Sequence, residues 1–95
     1  MSYVIAATYV VKDGEADAVR AALEAMVPLA RAESACIDYR AHLSVEDPNV
    51  FFLYEEYVDA DGYRAHGETT HFEKYVRGEA WPRLESRTVV RAEPF

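Results

Sequence analysis

Two histidines, a glutamate and several aromatic residues that could carry acid–base chemistry lie close together in the second half of the chain. Glu55 and Tyr57 end an apolar run, and His66 and His71 follow soon after it. Imidazole and carboxylate groups transfer protons near neutral pH, and aromatic side chains hold aromatic ligands. A strand end and a helix start would bring such side chains to one rim. The segment therefore predicts a pocket for a small aromatic substrate.

The two histidines are predicted to differ in charge. His71 lies in the first turn of a predicted helix, where the helix dipole disfavours imidazolium, so we expect a neutral base. His66 lies at the end of another predicted helix, beside free carbonyl groups that favour its charged form. Such a pair suits removal of a phenolic proton, with Glu55 orienting one imidazole. The walls and hydroxyl contacts would come from aromatic residues: Tyr39, Tyr54, Tyr57 and Phe72.

Each of these residues also has a structural interpretation, because histidines at helix ends are commonly caps and tyrosines commonly pack in cores. No metal is predicted, since His66 and His71 would lie about 140° apart on a continuous helix. A break at Gly67 would bring the two imidazoles together with Glu55, so a metal site remains an alternative. The chain has no glycine-rich phosphate loop or dinucleotide motif, so we expect no cofactor.

Composition limits the classes of function. The chain has 95 residues, a formal net charge of −7 and 51% hydrophobic residues, which predicts one globular domain over residues 1–95. The negative charge argues against binding to nucleic acid or to anionic membranes. No apolar run reaches the ~20 residues of a membrane span, and no secretory signal is recognisable. The lone Cys36 fits a reducing compartment, so we expect a cytoplasmic protein.

Hydrophobic periodicity predicts the order βα-ββ-αα-β. The predicted elements are a strand at 3–11, a helix from Glu15 that Pro28 kinks or loosens near its end, strands at 36–45 and 50–58, a short helix from Asp59 to His66, a helix from Thr70 through Arg77, and a strand at 87–93. Turn chemistry marks the boundaries: Lys12 to Gly14 as a turn, Asp59 as an N-cap, Gly67 after a helix end, and Thr70 with Glu73 as a capping box. Four acidic residues are predicted to form a solvated helix face: Glu15, Asp17, Glu24 and Glu33.

This order indicates an α+β ferredoxin-like sandwich, in which helices cover one face of an antiparallel four-stranded sheet. Both faces of the predicted sheet are nevertheless apolar: Ile5 and Tyr9 point to one side of the first strand, and Val4 and Val10 to the other. The uncovered face must meet a second subunit or enclose a cavity. We predict a homodimer whose sheets pack face to face; a monomer with both faces covered by its helices and termini is the alternative.

Three motifs together resemble a known family. They are Cys36-x-x-Tyr39, Phe52-x-Tyr54-Glu55-x-Tyr57-x-Asp59 and Tyr63-x-x-His66-x-x-Thr69-x-His71-Phe72. They look like the antibiotic biosynthesis monooxygenase domain, one branch of the dimeric α/β-barrel superfamily, and the resemblance covers essentially the whole chain. One departure is Ala35, where a glycine often precedes the cysteine.

The resemblance implies a cofactor-independent monooxygenase that oxidises a phenol, quinol or anthrone-like compound with O2. The pocket would deprotonate the substrate, whose anion would give an electron to dioxygen. The same superfamily contains haem-degrading members. Those members have an Asn late in the first strand, a Trp in the first short helix and a haem-ligating His in the second, and the corresponding residues here are Ala7, His66 and Val76. Haem degradation is therefore not expected.

Two other functions remain open at this point. The same base would serve a proton-transfer isomerase, and the domain would also suit a ligand-binding module without turnover, because fold does not fix function. The sequence alone leaves the substrate and the identity of the base undecided.

Overall fold

The computed structural model describes residues 1–95 and contains four strands and three helical segments. The elements are β1 (Tyr3–Val11), α1 (Ala16–Arg31), β2 (Cys36–Leu43), β3 (Val50–Tyr57), α2 (Ala60–Gly67), a π-helix (Phe72–Ala80) that runs into a 3₁₀ turn (Trp81–Arg83), and β4 (Leu84–Ala92). The strands form one antiparallel sheet in the order β2-β3-β1-β4. This is the predicted α+β ferredoxin-like fold. None of the helices combines the length and the apolar composition of a membrane-spanning segment.

One face of the sheet carries the core. Ile5 and Tyr9 of β1 and Leu53 of β3 are buried on this face, because alternate side chains of a strand point to the same side. Helix α1 packs against them with a buried stripe at helical spacing, which consists of Val19, Ala22, Leu23, Met26 and Ala30. The stripe explains why α1 continues past Pro28 to Arg31: tertiary packing outweighs the local cost of the proline.

The opposite face of the sheet is uncovered and partly apolar. Phe52 is 40% exposed and Val90 is 55% exposed. Val90 pairs with Ala6 across the two strands, and Phe52 pairs with Thr8. The helices and termini of the chain therefore leave this face of the sheet uncovered, unlike the predicted alternative in which they cover both faces.

Strand and helix boundaries differ from the predicted ones where turns are decided by specific hydrogen bonds. β2 ends at Leu43, because the Ser44 hydroxyl accepts from two backbone N–H groups of the following turn. β4 begins at Leu84 rather than at residue 87, because the 3₁₀ turn ends at Arg83 and the next residue, Leu84, already pairs with Val11 of β1. The last helix extends to Ala80 and is π-helical, a distinction that apolar spacing alone cannot predict.

Helix α2 begins where predicted. The Asp59 carboxylate accepts from the backbone N–H of Gly62 at 2.8 Å, which satisfies a donor that the helix leaves free. A Cβ at Gly62 would lie 2.7 Å from the Cβ of Ala35, so the absence of a side chain lets α2 pack closely against the turn before β2.

The connection between α2 and the π-helix corrects two predictions. The expected capping box at Thr70 and Glu73 is wrong by one residue: the Thr69 hydroxyl accepts from the N–H of Phe72 at 3.1 Å and donates to the carbonyl of His66 at 2.8 Å. Gly67 is not left-handed, since Gly14, in the predicted turn, has the only positive φ in the chain. Thr69 therefore fixes the position of the π-helix relative to the end of α2.

Candidate functional site

A cavity of about 280 Å³ lies between the sheet and the last two helices. Its wall is mostly hydrophobic and aromatic, with one carboxyl group, one imidazole and four guanidinium groups. The lining residues are Ile5, Ala7, Tyr9, Tyr39, Glu55, Tyr63, Arg64, His66, Gly67, Phe72, Val76, Arg77, Trp81, Arg87, Val89 and Arg91. This volume is close to the lower end of the ~300–1,000 Å³ typical of small-molecule pockets, so the cavity suits a compact ligand.

His66 is held in one orientation by Glu33. The imidazole is 1% exposed, and its Nδ1 lies 2.9 Å from Oε2 of Glu33. An ionised carboxylate can only accept hydrogen bonds, so Nδ1 carries the proton and Nε2 keeps its lone pair. Nε2 lies 3.7 Å from Oε1 of Glu55, which also lines the cavity. The unprotonated nitrogen of His66 is therefore available at the cavity wall.

Glu33 corrects a prediction, because it does not belong to a solvated helix face. Helix α1 ends at Arg31, and the chain turns before β2 so that the Glu33 side chain is only 13% exposed. Its carboxylate also accepts from His71, whose Nε2 lies 2.7 Å from Oε2. The local sequence gave no signal for this role, since the contact joins residues that are 33 positions apart.

The charge predicted for His66 is also wrong. Burial lowers the pKa of His66, and this effect exceeds the opposing influence of the hydrogen bond and negative charge of Glu33. Position at the end of α2 favoured imidazolium, but removal of the ring from water favours the neutral form. His66 is therefore neutral near pH 7 and can accept a proton.

Glu55 does not orient an imidazole as predicted. Its 3.7 Å separation from His66 exceeds hydrogen-bond length, and its Oε1 instead accepts from the Tyr57 hydroxyl at 2.7 Å. Burial, opposed by the Tyr57 hydrogen bond and assisted by the negative charge of Glu33, raises the pKa of Glu55 to about 7. Near neutral pH the carboxyl group is thus available in both protonation states.

The remaining predicted site residues are divided between two faces of the sheet. Tyr39 and Phe72 line the cavity, with ring centroids 5.6 and 5.1 Å from that of His66. Tyr57 is fully buried; its hydroxyl donates to Glu55, and its ring centroid lies 5.3 Å from that of His66. Tyr54 lies on the uncovered face and donates to Glu56 at 3.2 Å. The prediction that Tyr54 lines the pocket is wrong, because it is an odd number of residues from Glu55 and Tyr57 on its strand.

His71, one of the two candidate bases, does not line the cavity. Its side chain is 20% exposed and contacts Glu33. Three groups, Glu33, His66 and His71, offer ligand atoms that all lie within 4.8 Å of one another, so Glu33 replaces Glu55 in the predicted metal alternative. Tetrahedral zinc would hold such atoms roughly 3.3 Å apart, whereas the two Glu33 contacts measure 2.9 and 2.7 Å. The spacing fits hydrogen bonds better than it fits a bound metal.

Several lining residues were not predicted as site residues. Trp81 donates from its ring N–H to the Tyr9 hydroxyl at 3.2 Å and lies edge-on to Phe72. Burial raises the pKa of Tyr9 to about 12, so its hydroxyl stays protonated. Ala7 and Val76, the two positions where a haem site would need polar or ligating residues, are apolar here and line the same wall. The wall therefore lacks the polar and ligating groups that the haem-degrading pattern has at these two positions.

Comparison with known proteins agrees with this architecture. A family model described as antibiotic biosynthesis monooxygenase matches residues 1–78. No curated protein matches the sequence at a significant level.

Three solved structures illustrate the similarity. A protein named antibiotic biosynthesis monooxygenase is 27% identical, with a TM-score of 0.90 over 100% of this chain and 99% of its own. A Nitrosomonas europaea protein that carries the same name provisionally is 26% identical, with a TM-score of 0.92 over 98% of this chain and 89% of its own. PA3566 from Pseudomonas aeruginosa is 26% identical, with a TM-score of 0.91 over 99% of this chain and 94% of its own.

Proposed function

Because the chain belongs to the antibiotic biosynthesis monooxygenase family, we propose that it oxidises a small phenolic, quinol or anthrone-like substrate with O2 and without a cofactor. The observation that carries the proposal is the buried His66, which Glu33 holds with its unprotonated Nε2 at the wall of a hydrophobic cavity. A fixed neutral imidazole beside an apolar binding site is what deprotonation of a phenol requires.

His66 acts as the general base in this proposal. Its Nε2 takes the proton from the substrate hydroxyl, and the Glu33 carboxylate, 2.9 Å from Nδ1, stabilises the imidazolium that forms. His71, bound to the same carboxylate and partly exposed, offers a route from this pair towards solvent. Glu33 and His71 thus act through His66 rather than on the substrate.

Glu55 stabilises the substrate anion in its protonated state. Oε1 accepts from Tyr57, so the acidic proton resides on Oε2, from which it can be donated to the phenolate oxygen. Because the pKa of Glu55 is about 7 and that of His66 is lowered, both groups hold the required protonation states in a window below neutral pH. We expect a bell-shaped dependence of kcat/KM on pH.

The redox chemistry belongs to the substrate. For the enol form of an anthrone-like compound, the anion left by loss of the hydroxyl proton carries negative charge on a ring carbon. This anion transfers one electron to O2, and the resulting radical and superoxide combine to form a carbon–oxygen bond at that carbon. The peroxide takes back a proton; its O–O bond then breaks as the carbon loses its second hydrogen, which leaves a carbonyl group and water. One oxygen atom enters the product and the other leaves as water. The cavity contributes orientation and exclusion of bulk water.

Proton-transfer isomerisation is the second candidate. The observation that favours it is the proximity of a base and an acid, since His66 and Glu55 lie 3.7 Å apart on one wall. Such a pair can remove a proton from one atom of a substrate and return it to another, without oxygen.

Oxygen consumption by metal-stripped protein tests the proposal and separates these candidates. We expect hydroquinones or anthrones to be oxidised faster than their autoxidation, and the excess rate to disappear in His66→Ala. Lys74→Ala is the control, because Lys74 is exposed on the last helix and does not line the cavity. Ligand binding without any oxygen uptake across the panel would contradict the oxygenase and favour isomerisation or simple ligand binding.

We also propose that the protein is a homodimer whose uncovered sheet faces pack together. The support is the exposed apolar surface around Phe52 and Val90, which no helix of the same chain covers. Charged groups, Asp38, Arg40 and Glu56, lie beside this surface and would form part of a polar rim.

A further inference from the structure

The cavity reverses the charge balance of the chain. Acidic residues outnumber basic ones by 17 to 10 over the whole sequence, yet this cavity is lined by four arginines and one glutamate. The arginines are Arg64, Arg77, Arg87 and Arg91. An electropositive rim in an acidic protein attracts anions to one place.

Two of these arginines have no carboxylate partner. Arg64 pairs with Asp61 and Arg77 lies 3.6 Å from Glu73, whereas Arg87 and Arg91 take part in none of the ion pairs of the structure. Their charge remains available to a ligand.

β4 directs both free arginines to the cavity. Arg87 pairs with Tyr9 and Arg91 with Ile5, and both partners are buried on the helix-covered face. The guanidinium of Arg87 lies 3.6 Å from the ring centroid of Trp81, which holds it over an aromatic wall. A guanidinium held over an aromatic face keeps its N–H edge free for bidentate contact with a carboxylate.

We infer that the substrate of this cavity is an aromatic compound that bears an ionised carboxylate, which Arg87 and Arg91 bind at the rim while the phenolic hydroxyl meets His66. This inference rests on the proposed function for the reacting end of the substrate and adds the group at its other end. Separation of the two ends explains how one cavity combines a buried, neutral base with uncompensated positive charge. It also fixes the substrate orientation, since the anionic end is excluded from the side of Glu33 and Glu55.

Calorimetric binding of two isosteric probes tests the inference under anaerobic conditions. 2,5-Dihydroxybenzoate carries the carboxylate, and 2,5-dihydroxybenzamide has the same shape without the charge. We expect the wild-type protein to bind the benzoate about 10- to 100-fold more tightly, which is the range for charge-assisted hydrogen bonds. Only the benzoate should lose affinity when the ionic strength is raised. Quenching of the fluorescence of Trp81, the only tryptophan, places the probe in this cavity.

The double variant Arg87→Gln/Arg91→Gln should bind both probes with the affinity that the wild type shows for the benzamide. Arg20→Gln is the matched control, because Arg20 is an exposed arginine of α1 that does not line the cavity. Equal affinity of the wild type for the two probes, an equal loss of both in the double variant, or no binding of either would overturn the inference. Selective benzoate binding without oxygen uptake would leave the inference intact and contradict the oxygenase alone.

Discussion

Replacement of Glu33 by glutamine is the most discriminating perturbation of the proposed site. Glu33→Gln keeps the size of the side chain but removes the charge that two imidazoles contact at 2.9 and 2.7 Å. In the wild type one oxygen, Oε2, accepts from both rings, and Oε1 lies 3.1 Å from Nδ1 of His66. A glutamine can offer both rings only one neutral amide oxygen, and its NH2 group would face the Nδ1–H of His66, donor against donor. The orientation and the protonation state of His66 should both be affected.

The magnitude follows from the bond that is lost. A hydrogen bond to a charged group contributes ~1.5–3 kcal/mol, and at ~1.4 kcal/mol per factor of ten this corresponds to roughly 10- to 150-fold. Because the Glu33 carboxylate stabilises the imidazolium that forms on His66, the loss should appear in kcat/KM for the proposed oxidation. We therefore expect kcat/KM to fall by roughly one to two orders of magnitude.

The pH profile separates loss of a charge from general structural damage. The negative charge of Glu33 raises the pKa of His66 and the pKa of Glu55. Its removal must lower both values, so the acidic and basic limbs of the kcat/KM profile should both move to lower pH. Damage to packing alone would lower the maximum and leave the two limbs in place.

The assay combines oxygen uptake with imidazole ¹⁵N NMR, which reports the tautomer and the pKa of His66 without any substrate. Glu24→Gln is the control, since Glu24 lies on the exposed side of α1 and pairs only with Arg20. Unchanged limbs, or a His66 that titrates as in the wild type, would refute the role given to Glu33.

Three further predictions concern stability and assembly. Glu55→Gln should raise the free energy of unfolding at about pH 8 by up to roughly 3 kcal/mol and have little effect at about pH 4. The reason is that a raised carboxyl pKa costs stability only as pH rises from the pKa of the unfolded chain through about 7, the pKa in the folded protein. Urea denaturation at the two pH values checks this, and equal effects at both would contradict it. Gly62→Ala should lower the midpoint of thermal unfolding, since its Cβ would meet a neighbouring Cβ at 2.7 Å, whereas Gly67→Ala, with nothing within 4 Å, should be neutral or stabilising. Phe52→Glu should dissociate the proposed dimer in light-scattering measurements, while Val45→Glu, on a fully exposed side chain, should not; a dimer unaffected by Phe52→Glu would exclude this interface.

Local features of the sequence were sufficient to predict most of the fold. Alternation in β1 and β3, the turn at Gly14 and the cap at Asp59 each depend on neighbouring residues, and all are present in the structure. The presence of apolar side chains on both faces of the sheet could also be predicted, because successive side chains of a strand point to alternate faces. The same alternation predicts that Tyr54 and Tyr57 point to opposite faces of the sheet, and they do so in the structure.

The arrangement of the site depended on tertiary structure. Glu33 reaches His66 only because α1 ends at Arg31 and α2 packs closely over the following turn, a contact between distant positions that has no local signature. Burial then reversed the protonation state that the position of His66 at a helix end had suggested, because desolvation outweighed the helix dipole. The sequence determined which side chains are available for chemistry; the packing of α1, α2 and the sheet decided which of them meet and which one stays neutral.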